Sequence, residues 1–184
     1  HQRFVNTWMH VGFVQVNDEK MSKSLGNFFT IRDILKHYDP ETVRYFLLSG
    51  HYRSPVNYSQ ESLDHARGSL ETLYTALRGL NLSSMIVIAQ DSTEYQQFKI
   101  AMDDDLNTPL AFSLFFDMAR RINSYRQQQQ MAEAQALAEQ LVAIANSVGF
   151  LYQVPEAFLQ AGVTEDFKQQ VETLIAQRAT ARAN

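Results

Sequence analysis

Between Pro109 and Tyr125 the residues Leu110, Ala111, Phe112, Leu114, Phe115, Phe116, Met118, Ala119, Ile122 and Tyr125 spread over roughly 240° of a helical wheel. Only Ser113, Asp117, Arg120 and Ser124 are left on a clear polar face. A helix this apolar needs partners on several sides, so it is expected at the centre of a helical bundle. Its start is marked by Asn107-Thr108-Pro109, a cap residue followed by proline in the first turn. A helix over 131–148 supplies one partner, with Leu137, Leu141, Ile144 and Val148 inside about 60° of arc and Gly149 as its stop. Asp91-Ser92-Thr93-Glu94 resembles a capping box for a helix reaching Asp103, and a last helix over about 165–182 would use Phe167, Val171, Leu174 and Ile175. Gln127–Gln130 reads as a solvated turn.

The first half differs. Val11-Gly12-Phe13-Val14-Gln15-Val16 is compatible with a strand that turns at Asn17-Asp18, giving a short strand or hairpin. Helical signals follow: Thr30 caps a helix over 31–38, and Asp39-Pro40 starts another that runs to about Ser49, with Gly50 as its stop. Residues 51–58 read as a loop, and Ser59 caps a helix over about 60–79. On that helix Leu63, Ala66, Leu70, Leu73, Tyr74, Leu77 and Leu80 fall within roughly 120°, with Arg67 and Arg78 at one edge. Residues 81–91 are the best linker, so the expected units are 1–84 and 85–184. The fold class is mainly α, a short β/α segment followed by a helical bundle.

Composition narrows the chemistry. The 184 residues contain no cysteine, which excludes disulfides, a thiolate nucleophile and sulfur-ligated zinc. Residues 1–81 hold 9 Lys/Arg against 8 Asp/Glu, and 82–184 hold 7 against 12, so neither half has the strongly basic footprint of a charge-driven nucleic-acid binder. Met85–Ala89 is the longest aliphatic run, far short of the roughly 20 residues that cross a bilayer. The expectation is a soluble, cytoplasmic protein. The chain opens on His1 with no leader, which reads as a cut, so a portion of a longer protein is expected.

The segment that carries chemistry is Lys20-Met21-Ser22-Lys23-Ser24-Leu25-Gly26-Asn27. Two ammonium groups three residues apart, with hydroxyl donors at Ser22 and Ser24 and a permissive glycine beyond, suit a loop that meets a polyphosphate whose charge moves during reaction. An arbitrary Lys-x-x-Lys is a solvated basic turn; the full pentapeptide is more specific. Lys-Met-Ser-Lys-Ser followed by Leu-Gly-Asn resembles the second signature loop of class I aminoacyl-tRNA synthetases. Many class I enzymes follow that loop with a helix start like Asp39–Phe46, whereas Asn27-Phe28-Phe29-Thr30, Gly50-His51-Tyr52-Arg53-Ser54-Pro55, Asn57-Tyr58-Ser59, Leu73–Leu77 and Ala101–Pro109 resemble the cysteinyl enzymes in particular.

That resemblance implies a ligase that activates L-cysteine with ATP and Mg²⁺ to an adenylate and transfers it to tRNA(Cys), acting as a monomer. It implies that Lys20, Met21, Ser22, Lys23 and Ser24 bind the ATP phosphates, with Lys20 and Lys23 catalytic. Arg53, Arg67 and Arg78 become candidate tRNA contacts; an ion pair with Glu71 is an equal reading for Arg67. The family's zinc ligands, adenine pocket and His-Ile-Gly-His-type motif match no position here, so no metal ligand is assigned and the chain alone is expected to be inactive. Two other readings stand beside this one: a non-catalytic helical module holding tRNA or a protein, and another class I synthetase such as the methionyl type.

Among the remaining candidates, His10, His37, His51 and His65 lack a metal-ligand spacing. Asp103-Asp104-Asp105 reads as helix-end capping rather than a Mg²⁺ site, because adjacent carboxylates point apart. Phe28, Phe29, Tyr45, Phe46, Phe115 and Phe116 have spacings typical of core aromatics. Arg120, Arg121 and Arg126 do not share one helix face.

Overall fold

A computed structural model describes residues 4–82, 87–163 and 165–183. Its elements in chain order are β1 (Val14–Val16), β2 (Glu19–Lys20), α1 (Ile31–Ile34), α2 (Pro40–Ser49), β3 (Val56–Tyr58), α3 (Gln60–Leu77), α4 (Thr93–Asp103), α5 (Thr108–Gln127), α6 (Met131–Ser147), α7 (Pro155–Leu159) and α8 (Glu165–Ala183). The mainly α class with a small front sheet holds. The boundary expected near residue 85 lies outside the described residues.

Helix α5 is the hub, packing against α2, α3, α4 and α6. Asn107 Oδ1 accepts from the Leu110 amide, satisfying one of the orphan donors that every helix start exposes, while Pro109 loses no bond in the first turn. Ala111, Phe112, Phe115, Met118, Ala119 and Ile122 are buried on it. Ser113, Asp117, Arg120 and Ser124 are exposed, as the wheel requires. The core runs on through Tyr45 of α2, stacked on Phe112 at 4.8 Å, to Leu70, Leu73 and Tyr74 of α3 and to Leu141 and Ile144 of α6. One hydrophobic core therefore joins the helices on both sides of residues 83–86.

The caps of α2 and α3 are those expected. Asp39 accepts from the Glu41 and Thr42 amides, and Ser59 accepts from Ser62. Gly50 follows α2 at φ −99°, an extended conformation open to any residue, so helix α2 ends without a left-handed glycine.

Several expectations shift in detail. The helix expected over 31–38 is a single turn, 31–34, continued by turn hydrogen bonds to Tyr38. Residues 51–58 are not all loop, because β3 pairs parallel with β1 in the register Val14↔Val56 and Val16↔Tyr58. Helix α7 is a further element; it places Phe158 in the core, stacked on Tyr74 at 4.2 Å. On α8, Phe167, Leu174 and Ile175 are more than half exposed and buried in no core.

A candidate phosphate loop and its support

The three-stranded sheet has the order β2-β1-β3. β1 and β2 are joined by the two residues Asn17 and Asp18, both at positive φ (50° and 65°), the geometry of a type I′ hairpin turn. Asn and Asp tolerate that region because their short polar side chains bond locally. Asp18 and Asn57 then clasp each other. The Asp18 amide donates to Asn57 Oδ1 at 2.9 Å, and Asn57 Nδ2 donates to Asp18 Oδ1 at 2.7 Å. This clasp ties the hairpin tip to β3 and sets where β2 delivers Lys20.

Directly after β2 the chain makes a tight excursion over 20–27, held from inside by Asn27. Its Oδ1 accepts from the Ser22 amide at 2.8 Å and its Nδ2 donates to the Lys20 carbonyl at 3.2 Å. Both ends of the amide are used, so the side chain has a single sensible orientation. The Ser22 and Ser24 hydroxyls lie 3.1 Å apart, and Ser22 Oγ also accepts from the Leu25 amide at 3.3 Å. Residues 23–26 form a turn closed from the Gly26 amide to the Lys23 carbonyl, with Gly26 at φ +68°, a conformation that would strain a side-chain-bearing residue.

Lys20 and Lys23 are exposed, while Met21 and Ser22 are half-buried. Neither ammonium has an ion pair among the described residues; Lys23 Nζ lies 5.4 Å from the Phe28 ring centroid. Two unpaired cations on one tightly tied loop can take the charge of a polyanion without first giving up a carboxylate. Asn27 braces the loop from inside, which the cation pattern does not reveal by itself. The signal was the Leu-Gly-Asn that completes the motif.

The three arginines lie elsewhere and are not brought together. Arg53 Nε donates to Asp105 Oδ2 at 2.6 Å and Nη2 to Oδ1 at 3.2 Å, joining the loop after α2 to the α4–α5 junction. Arg67 Nε donates to Glu71 at 3.0 Å, one turn along α3. Arg78, about three turns further on, pairs with Glu156 of α7 at 3.6 Å. Of the other arginines, Arg120 pairs with Asp117, Arg121 donates to Glu94 at 2.7 Å, and Arg126 donates to the Ala76 carbonyl at 3.2 Å.

The three adjacent aspartates do point apart. Asp103 pairs with Lys99 at 2.6 Å, Asp104 accepts from Asn107 at 3.1 Å, and Asp105 faces His51, Tyr52 and Arg53. The Arg53 guanidinium, and after it the Tyr52 hydroxyl, hold the Asp105 carboxyl down at about 2. His51 Nδ1 accepts from the Arg53 amide at 3.3 Å, which puts the ring proton on Nε2, 3.1 Å from the Asp105 carbonyl. No group of three or more His, Asp or Glu side chains that could hold a metal ion occurs among the described residues.

Comparison with known proteins covers both the loop-bearing segment and the helical bundle. Residues 1–68 match the family model described as tRNA synthetases class I (C) catalytic domain, and residues 97–153 match the DALR domain. Over those two stretches the chain is similar to class I tRNA synthetases. Within that class its relatives are cysteine–tRNA ligases: the protein of Edwardsiella ictaluri is 56% identical over 182 residues, that of Photobacterium profundum 53% over 186, and that of Vibrio cholerae 56% over 182. Each match takes in 98% of this chain, which spans 39% of the relative's length.

Proposed function

We propose that this chain is the phosphate-loop and tRNA-docking portion of a cysteine–tRNA ligase. The observation that carries the reading is the loop tied by Asn27, which holds Lys20 and Lys23 exposed and unpaired at the end of β2. In the complete ligase the carboxylate of L-cysteine attacks the α-phosphorus of Mg²⁺-bound ATP. The bond to pyrophosphate breaks, and the cysteinyl group of the adenylate then passes to tRNA(Cys). Lys23 takes up charge developing on the phosphates, Lys20 supports it, and Met21, Ser22 and Ser24 shape the loop around them.

Zinc, expected for the family, does not fit the residues present, because the chain has no cysteine and the described residues hold no ligand cluster. No step is drawn through it. Among the described residues no helix is long and apolar enough to cross a membrane. We assign the ligase to the cytoplasm, acting as a monomer, with residues 85–184 as the tRNA-docking unit and 1–84 as the loop-bearing unit.

Arg67 and Arg78 are assigned to tRNA phosphates. Each now holds an exposed carboxylate, and a surface ion pair of this kind is worth little, so exchange for phosphate is cheap. Arg53, gripped by both Asp105 oxygens, serves docking by position rather than as a free cation.

The test is a chimera in which this segment replaces the matching segment of the Vibrio cholerae relative. Lys23→Ala there is expected to cut ATP–pyrophosphate exchange by about 10²–10³-fold, the scale of one lost electrostatic stabiliser. The KM for cysteine should change little. Exchange at the unsubstituted rate would overturn the assignment.

A further inference from the structure

We infer that Asp105, in the bundle, is a positioning residue for the phosphate loop, acting through Tyr52. The inference rests on the proposed function for its catalytic consequence, and on geometry alone for the mechanical link.

The link starts with the turn that ends α4. Asp105 and Leu106 both stand in the left-handed region, at φ 51° and 55°. Two such residues in succession, one of them leucine, are costly, and the turn is held by the Asn107 amide bonding the Ala101 carbonyl at 3.0 Å. Its effect is to aim the Asp105 carboxylate away from α4. There it meets the Tyr52 hydroxyl at 2.6 Å and the Arg53 guanidinium at 2.6 and 3.2 Å. Asp103 and Asp104 bond within their own helix ends. Asp105 is the member of the triplet that reaches the other half of the chain.

Tyr52 passes the constraint on. While its hydroxyl donates to Asp105, its carbonyl accepts the Gly12 amide at 2.8 Å, just ahead of β1. Gly12 lies so close that a Cβ there would collide with the backbone of Ser54 and Pro55. The Val56 amide then bonds the Phe13 carbonyl at 2.9 Å, and the β1–β3 register follows. From β1 the type I′ turn and the Asp18–Asn57 clasp fix β2, and β2 ends at Lys20, whose carbonyl anchors Asn27. Every step is a hydrogen bond or a backbone contact; the Tyr58 ring, against Phe29 and Phe46, holds the β3 end of the sheet, and what holds Tyr52 sets the Gly12 end of β1.

The experiment compares the purified chain with its Asp105→Asn and Tyr52→Phe variants by hydrogen exchange and by tryptic cleavage after Lys20 and Lys23. Asp105→Asn is expected to speed exchange of the Gly12 amide and cleavage after Lys23 by about three- to tenfold, the scale of weakening a charge-assisted contact. Amides in α5 and α6 should keep their rates. Tyr52→Phe should act in the same direction and more weakly. In the ligase chimera Asp105→Asn should lower kcat for pyrophosphate exchange and leave the KM for cysteine unchanged, which general destabilisation would not do.

Unchanged Gly12 exchange and Lys23 cleavage in both variants would overturn the inference, as would equal acceleration throughout α3, α5 and α6. If Asp105→Asn fails to fold, Tyr52→Phe decides: no effect at Gly12 refutes the link. Loop order is read without nucleotide or tRNA, so this inference and the ligase assignment can fail separately.

Discussion

The Glu41 carboxylate accepts the Tyr74 hydroxyl at 2.8 Å, with the glutamate 5% exposed and the tyrosine fully buried. The same carboxylate accepts the Leu151 amide at 2.7 Å and Gln153 Nε2 at 3.2 Å, so one side chain of α2 fastens α3 and the segment after α6. Burial, and after it the charge of Glu41, pushes the Tyr74 hydroxyl well above its ordinary range, keeping it a donor. A carboxylate is acceptor-only, and three donors converge on it; an amide in its place turns one acceptor into a clashing donor. Glu41→Gln is therefore expected to cost about 2–4 kcal/mol of stability, and Tyr74→Phe about 1–2 kcal/mol. Urea unfolding measures both, and a Glu41→Gln variant as stable as the parent chain would refute the network's importance.

Gly12→Ala tests the close approach between the start of β1 and the loop after α2. The added methyl meets backbone rather than a side chain that could swing aside, so the loop over 52–55 must move. We expect a loss of about 1–3 kcal/mol, the usual scale of overpacking. Thermal unfolding gives the cost. Exchange rates show that it falls on the sheet and leaves the α5–α6 core protected.

Asn27→Ala removes the brace across the phosphate loop without touching either lysine. Cations held in the wrong place stabilise the transferring phosphates poorly, so pyrophosphate exchange in the chimera should fall by about 10–10²-fold. Asn27→Asp keeps the acceptor for Ser22 and loses the donor to the Lys20 carbonyl, and should lie between the two. Full activity in Asn27→Ala would separate the motif from its geometry.

Acid should release the Asp105 contact late. The carboxyl is held at about 2 when folded, against 3.8 for an ordinary aspartate, so its stabilising contribution is fully present above the higher value. It is lost as the pH falls through the lower one. Thermal unfolding of the parent chain and of Asp105→Asn should differ by a constant amount above about pH 5 and converge toward pH 2. Curves that converge already at pH 5 would contradict the assignment.

Long helices with chemical punctuation were readable in advance. Asp39-Pro40, Ser59 and Asn107-Thr108-Pro109 place a side-chain acceptor where a helix start leaves amides unpaired, and α2, α3 and α5 begin there. What escaped depends on partners distant in sequence or on elements too short for periodicity. β3 has three residues and exists by pairing with β1 some forty residues earlier, and the five residues of α7 barely complete a turn. Glu41 looks like an ordinary first-turn acid, because nothing local says that Leu151 and Gln153 will come to it. The loop over 20–27 was legible as a cation pattern ending in Leu-Gly-Asn, but the bonds from Asn27 to the Ser22 amide and the Lys20 carbonyl were not. The acid triplet was legible as a helix end, but the meeting of Asp105 with Arg53 is a contact across 52 residues.

Strand β2 is two residues long, and beyond it the loop is fastened by the Asn27 amide and a few exposed hydroxyl contacts. Under the proposed function, lifting the two ammonium groups toward a triphosphate would break only bonds that water or the phosphate oxygens can replace, and would leave the apolar core undisturbed. Such a fastening is a press-stud: firm enough to define a resting place, and light enough to be undone and remade without touching the core.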